Sequence, residues 1–239
     1  MQTEKIQYVE GGDTFDAVVV YPEGTGAAPA VLVCHAWGGR DEFAEDKAKK
    51  LAALGYIGAA IDMYGLGKRG TDKESNGALM MPLLGDRALL RRRLAAAYQA
   101  VRTLDRVDPD RVAVMGYCFG GLCALDMARM GAKLRAAISF HGLLRPAEGL
   151  DGDIGTDIHA GILVLHGQND PMVPPSAVGA FAEEMFAANA SWRLHSHAGV
   201  MHSFTNPKAN DPASGTVYDA DADASSWAAM KGFLEERFI

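Results

Sequence analysis

The chain has 239 residues, of which 49% are hydrophobic and 22% charged, with a formal net charge of −7. That composition suits a soluble globular protein large enough to bury a substantial core, and the acidic balance argues against nucleic acid as a partner. No stretch reaches the apolar length that crosses a bilayer, the polar opening Met1-Gln2-Thr3-Glu4-Lys5 has no secretory core, and three cysteines without framework spacing suggest a reducing compartment, the cytoplasm.

Two short strands are expected first, over residues 6–9 and 15–21, joined by a turn at Gly11-Gly12-Asp13. Alternating units follow. Residues 30–34 read as an apolar strand, 43–54 as a helix ended by Gly55, and 56–63 as a second core strand. A long Ala/Leu/Arg helix over 89–104 precedes a strand at 111–115 and a helical run over 121–128. Two further apolar strands lie at 136–140 and 162–166, then a helix at 176–188, a last strand at 192–197 and a terminal helix at 226–238. Apolar strands without polar alternation are buried on both faces, and here they alternate with helices. The expectation is one domain over residues 1–239, a three-layer α/β/α sandwich around a mostly parallel central sheet.

The strand ending at Met115 runs into Gly116-Tyr117-Cys118-Phe119-Gly120, a Gly-x-nucleophile-x-Gly elbow with cysteine in the central place. A sharp strand-to-helix turn lifts the middle side chain to the carboxyl edge of the sheet, beside a helix N-terminus whose dipole favours a thiolate. Cys118 is the expected nucleophile; as a plain buried cysteine it would not need the flanking glycines. Asp170, in His166-Gly167-Gln168-Asn169-Asp170-Pro171, and His202, in Gly199-Val200-Met201-His202-Ser203-Phe204, each follow a later strand. Singly they suit a turn and a loop. In the order nucleophile, acid, histidine they match the α/β-hydrolase arrangement, with catalytic groups at the carboxyl ends of strands.

Six other histidines compete, and His35, His141 and His166 also end strands. None has metal-ligand spacing, so no metal is expected, and Cys34 and Cys123 are read as buried residues of a strand and a helix. Gly65-Leu66-Gly67-Lys68-Arg69-Gly70 matches a dinucleotide fingerprint, but the polar run from Thr71 to Gly77 lacks a helical apolar stripe. A flexible loop is expected there, with no nucleotide or other cofactor, and the wider segment 65–85 would suit a mobile lid or a passive surface loop.

These motifs resemble the dienelactone hydrolase (carboxymethylenebutenolidase) family of α/β-hydrolases. The likeness runs nearly end to end, through Asp62-Met63-Tyr64-Gly65, the cysteine elbow, Gly167-Gln168-Asn169-Asp170-Pro171, His202-Ser203-Phe204 and the approach through Tyr218 to Trp227. The resemblance implies a triad of Cys118, Asp170 and His202, and an oxyanion hole from the backbone N–H groups of Trp37 and Phe119. Two departures stand out. Ala36 occupies the place of a family glutamate that helps activate the thiol, and Asn206 that of a substrate-clamping arginine. Without that arginine a carboxylated dienelactone loses its bidentate partner. His35, Ala36, Tyr64, Met80, Met81, Ser203, Phe204 and Asn206 are the candidate pocket residues. The expected activity is hydrolysis of activated small-molecule esters or lactones through an acyl-thioenzyme. Alternatives are phosphotriester or thioester substrates for the same triad, or a ligand-binding or redox-sensing protein with a reactive Cys118.

Overall fold

The computed structural model describes residues 1–146 and 158–239. The fold is α/β, with an eight-stranded, mostly parallel sheet and accompanying helices. The chain forms two compact units, Met1–Met115 and Gly116–Ile239.

In the first unit, β1 (Gln2–Glu10) and β2 (Asp13–Tyr21) pair antiparallel about Gly11 and Gly12. Both turn glycines have positive φ, 58° and 87°, which matches the right-handed twist of the flanking strands. Next come β4 (Ile57–Ile61), antiparallel to β2, then β3 (Ala28–Cys34), parallel to β4, then β5 (Val107–Tyr117), which continues past the end of the unit. The interiors of β3 and β4 are buried on both faces, which is why their sequences show no polar alternation.

Helix α1 (Glu42–Ala53) starts where the Asp41 side chain accepts the Ala44 N–H at 3.1 Å, and it carries Glu42 and Glu45 in its first turn. It lies so close on β4 that a Cβ on Gly58 would sit 2.2 Å from the Ala48 carbonyl oxygen. Helix α3 (Arg87–Arg102) buries Leu90, Leu94, Ala97 and Val101, one stripe at helical spacing.

The polar run after Gly70 departs from expectation. It is the start of a helix, α2 (Lys73–Gly85). Asp72 and Ser75 form a reciprocal capping box that satisfies the first-turn donors, so the helix begins without an apolar stripe. Residues 65–70 themselves are turns and irregular chain.

In the second unit, α4 (Phe119–Arg129) follows the elbow, and β6 (Ala136–Phe140), β7 (Gly161–Gly167) and β8 (Trp192–His197) are parallel neighbours. Phe140 pairs with Leu165 and Gly167 with His197, so these carboxyl ends are in register. The unit also holds α5 (Pro175–Ala187), a two-stranded ribbon of β9 (Asn210–Asp211) and β10 (Thr216–Val217), and α6 (Ala220–Arg237). Helix α6 begins six residues before the expected 226. Asp219 caps it by accepting the Ala222 N–H at 2.8 Å, and Asp221 and Asp223 favour its first turn.

Among the described residues no helix is long and apolar enough to cross a membrane. Nor, among them, is any group of three or more His, Cys, Asp or Glu side chains arranged to hold a metal ion.

Candidate active site

Cys118 sits between β5 and α4 with φ 56° and ψ −116°, a backbone conformation that L residues rarely adopt. The strain is held by packing on both sides. Its N–H donates to the Phe140 carbonyl at 3.0 Å and lies 3.2 Å from His141 Nδ1. The Tyr117 ring stacks on Phe140 with centroids 4.5 Å apart. A Cβ on Gly121 would lie 2.6 Å from Ser139 Oγ and 2.8 Å from the Gly142 Cα, so α4 enters directly against the end of β6. Gly121, just inside α4, is therefore needed for close approach. The Cys118 side chain is half-buried, whereas Cys34 in β3 and Cys123 in α4 are fully buried, and burial pushes the Cys34 thiol well up.

Asp170 and His202 come from the loops after β7 and β8, which are stitched together by the backbone. Gln168 N–H donates to the His197 carbonyl at 2.9 Å and Asn169 N–H to the Val200 carbonyl at 2.8 Å. Gly167 makes this possible, since a Cβ there would meet the Val200 and Met201 oxygens at 2.6 and 2.7 Å. The result is a direct contact of 2.7 Å between His202 Nδ1 and Asp170 Oδ2, with both side chains buried. The other carboxylate oxygen, Oδ1, accepts the Met172 N–H at 2.8 Å.

His202 is also gripped by its backbone. Its N–H donates to the Gly215 carbonyl and its carbonyl accepts the Val217 N–H. Gly215, at φ 71°, packs so tightly on Pro171 that a Cβ would lie 2.3 Å from the ring. One glycine thus braces both the histidine and the loop of its acid. Composition alone carries no trace of this; the turn chemistry of Ser214-Gly215 is the one sequence signal that points to it.

The imidazole tilts the electrostatics. Burial disfavours a charged His202, but the Cys118 charge and the hydrogen bond with Asp170 outweigh it and lift the pKa from 6.5 to about 10. His202 Nε2 is buried with no partner at ordinary hydrogen-bond geometry, and Cys118 raises the imidazole pKa first through its charge and then through a weaker side-chain hydrogen-bonding interaction. A buried acid thereby orients an imidazole that interacts with the cysteine of a strained elbow. Such a group can hold or pass a proton.

A model of the dienelactone hydrolase family matches residues 15–238. The chain belongs to the dienelactone hydrolase family. A relative from Caenorhabditis elegans, "Uncharacterized protein K02A2.1", is 44% identical over 62% of this chain and 94% of its own length. A "Probable 2-oxo-3-(5-oxofuran-2-ylidene)propanoate lactonase" from Bradyrhizobium sp is 28% identical over 85% of this chain and 86% of its own. Among solved structures, the dienelactone hydrolase-like promiscuous phosphotriesterase P91 from metagenomic libraries is 35% identical, with a TM-score of 0.93, covering 100% of this chain and 99% of that one. The expected α/β-hydrolase fold is therefore the observed one, and this member of the dienelactone hydrolase family is a hydrolase-family protein.

The remaining sequence-selected residues fall in both units of this dienelactone hydrolase family member. In the first, His35 Nε2 accepts the Met63 N–H at 3.2 Å, so Nδ1 carries the proton and donates to the Ala36 carbonyl at 2.6 Å. Burial lowers the His35 pKa to about 4. Tyr64 is buried and its hydroxyl donates to the Trp37 carbonyl at 2.8 Å, while Ala36 and Trp37 are half-buried. Met80 and Met81 lie on α2, the first half-buried and the second 59% exposed. In the second unit, Phe119 is the first residue of α4, where helix N–H groups lack intrahelical acceptors. Ser203 has φ 59°, Phe204 is fully buried edge-on to His141, and Asn206 Oδ1 accepts the Lys208 N–H. An open concavity of about 420 Å³ lined by His197, Val200, Asp219, Asp221 and Ser225 includes none of Cys118, Asp170 and His202.

His166 sits close enough for Asp170 and His202 to act on it, although burial dominates and lowers its pKa. His141, noted in the sequence only as a strand-end histidine, lies in ring contact with His202 at 5.0 Å. Its partner Thr205 carried no sequence signal at all.

Proposed function

We propose that this protein hydrolyses activated esters or lactones with Cys118 as nucleophile, His202 as proton carrier and Asp170 as its orienting acid. The observation that carries the reading is the 2.7 Å contact of buried Asp170 with His202, together with an Nε2 influenced by Cys118. With a pKa raised to about 10, His202 carries a proton at neutral pH, and the charge of Cys118 is the largest of the influences that raise it.

The thiolate attacks the carbonyl carbon, forming an S–C bond while the carbonyl π electrons move to oxygen. The Phe119 N–H, at the start of α4, is the donor for that oxyanion; one such donor is typically worth about 3 kcal/mol of barrier. Collapse expels the alkoxide, which takes the His202 proton. Water then gives a proton to His202 and its oxygen to the thioester carbon, and collapse releases the acid and the thiolate, which ends paired with the protonated imidazole. In a lactone the expelled alkoxide remains part of the released hydroxy acid. Asn206 offers no cation for a substrate carboxylate, which favours neutral substrates. The lactonase relative supports the lactone class.

A second reading keeps the residues and changes the electrophile. The 35% identity with P91 over the whole chain favours a phosphotriester, whose attack also places charge on a single oxygen.

The test is stopped-flow release of 4-nitrophenol from 4-nitrophenyl acetate, with enzyme in the stoichiometric range, for wild type and Cys118→Ala. A burst followed by turnover, both lost in the variant, is expected. Undiminished turnover by the variant would refute the nucleophile, and one stoichiometric release without turnover would favour a reactive, non-catalytic thiol. A parallel run with a 4-nitrophenyl phosphotriester separates the two electrophiles.

A further inference from the structure

Four non-glycine residues among those described have positive φ, and three of them are Cys118 at 56°, His141 at 39° and Ser203 at 59°. Two are the elbow residue and the residue after His202. His141 lies between them: its ring contacts His202 at 5.0 Å and Phe204 at 5.1 Å, both edge-on, and it is buried. A buried histidine on a strained backbone, touching both catalytic loops, is not needed for the chemistry derived above. Its hydrogen bonds show what it does.

A backbone N–H can only donate, so His141 Nδ1, 3.2 Å from the Cys118 nitrogen, accepts as the second acceptor of an N–H shared with the Phe140 carbonyl at 3.0 Å. A neutral imidazole carries its one proton on the other nitrogen, and Nε2–H therefore donates to Thr205 Oγ1 at 2.8 Å. The tautomer is dictated by the partners. A second proton on Nδ1 would face the Cys118 N–H donor to donor, and no lone pair of His141 is left to take the thiol proton. Of two imidazoles in contact, only His202 can act as the base.

We propose that His141 is a positioning residue, locked as the neutral Nε2–H tautomer, that ties the Cys118 elbow through its N–H to Thr205 in the His202 loop. The proposal rests on Cys118 being the nucleophile and His202 its proton carrier. Through this tie the angle of the elbow and the placement of the His202 loop are set together, so Sγ and Nε2 stay in register through acylation and deacylation. Its effect belongs in kcat, since His141 meets the reacting groups through Cys118 and His202 and not through bound substrate.

Two measurements test it. Nitrogen-15 spectra of histidine-labelled wild-type protein at neutral pH should show His141 protonated at Nε2 and bare at Nδ1; a proton at Nδ1 would overturn the proposal whether or not the protein is an esterase. The second is a comparison of His141→Asn with His141→Phe on 4-nitrophenyl acetate. Asparagine places Oδ1 where Nδ1 stood and can still accept the Cys118 N–H, whereas phenylalanine fills the space without an acceptor. His141→Phe should lose about 10–100-fold in kcat, the scale expected when reacting groups drift by up to an ångström, with KM within about twofold. His141→Asn should keep kcat within about fivefold of wild type. Equal losses in the two variants, or a change confined to KM, would overturn it. A wild-type-like response of Cys118→Ala would instead remove the reading beneath it, while leaving the nitrogen-15 result to stand on its own.

Discussion

Asp170→Asn isolates one hydrogen atom. In the wild type Oδ1 accepts the Met172 N–H at 2.8 Å and Oδ2 faces His202 Nδ1 at 2.7 Å. An asparagine keeps the Met172 bond only by turning its carbonyl oxygen that way, which points its NH₂ group at Nδ1. Nδ1 must then accept, and in the neutral ring the proton moves to Nε2, the nitrogen that must be bare to take the proton of the attacking water. The fold is left nearly intact, because shape and the backbone bond survive. The same change of tautomer in a serine triad costs about 10⁴ in kcat, so a loss of about 10³–10⁴-fold is expected, equivalent to about 4–5.5 kcal/mol of barrier. The assay is steady-state hydrolysis of 4-nitrophenyl acetate, with nitrogen-15 imidazole spectra to locate the proton and thermal unfolding to confirm the fold. A kcat within tenfold of wild type, or a His202 still protonated at Nδ1 in the neutral variant, would refute the reasoning.

Two further outcomes follow from the same geometry. Cys118→Ala removes the largest of the influences that raise the His202 pKa, while burial continues to lower it. The His202 pKa should therefore fall from about 10 toward the ordinary 6.5; an unchanged value in a proton NMR titration would show that Cys118 does not act on the imidazole. Gly121→Ala should destabilise the protein, because the new Cβ meets the Gly142 Cα at 2.8 Å, where neither backbone can yield easily. Overpacking of this kind costs about 1–3 kcal/mol, a fall of several degrees in Tm at this chain length, and a Tm within a degree of wild type would contradict the close approach.

The alternation of apolar strands and helices was readable because it comes from local burial: β6 and β8 occupy the residues expected of them, and β7 and α5 differ by one residue at each end. The helix at 73–85 was not, since its start rests on the side chains of Asp72 and Ser75 rather than on an apolar stripe, and α6 began early for a similar reason at Asp219. Polar capping is a short-range hydrogen-bond effect to which hydrophobic periodicity is blind.

For the site, the chain by itself determined the strand-elbow-helix around Cys118 and the order of Cys118, Asp170 and His202, because a tight turn demands glycines and a parallel sheet delivers loop residues to one edge. Only the tertiary structure decided that Asp170 and His202 touch, that Gly215 braces both of their loops, and that His141 joins the elbow to Thr205. The Asp170–His202 contact and the two His141 bonds join residues 23 to 64 positions apart, and a left-handed backbone at a histidine leaves no mark on sequence. Local rules place a residue at the end of a strand; which neighbour it meets there is settled by how the ends of different strands pack.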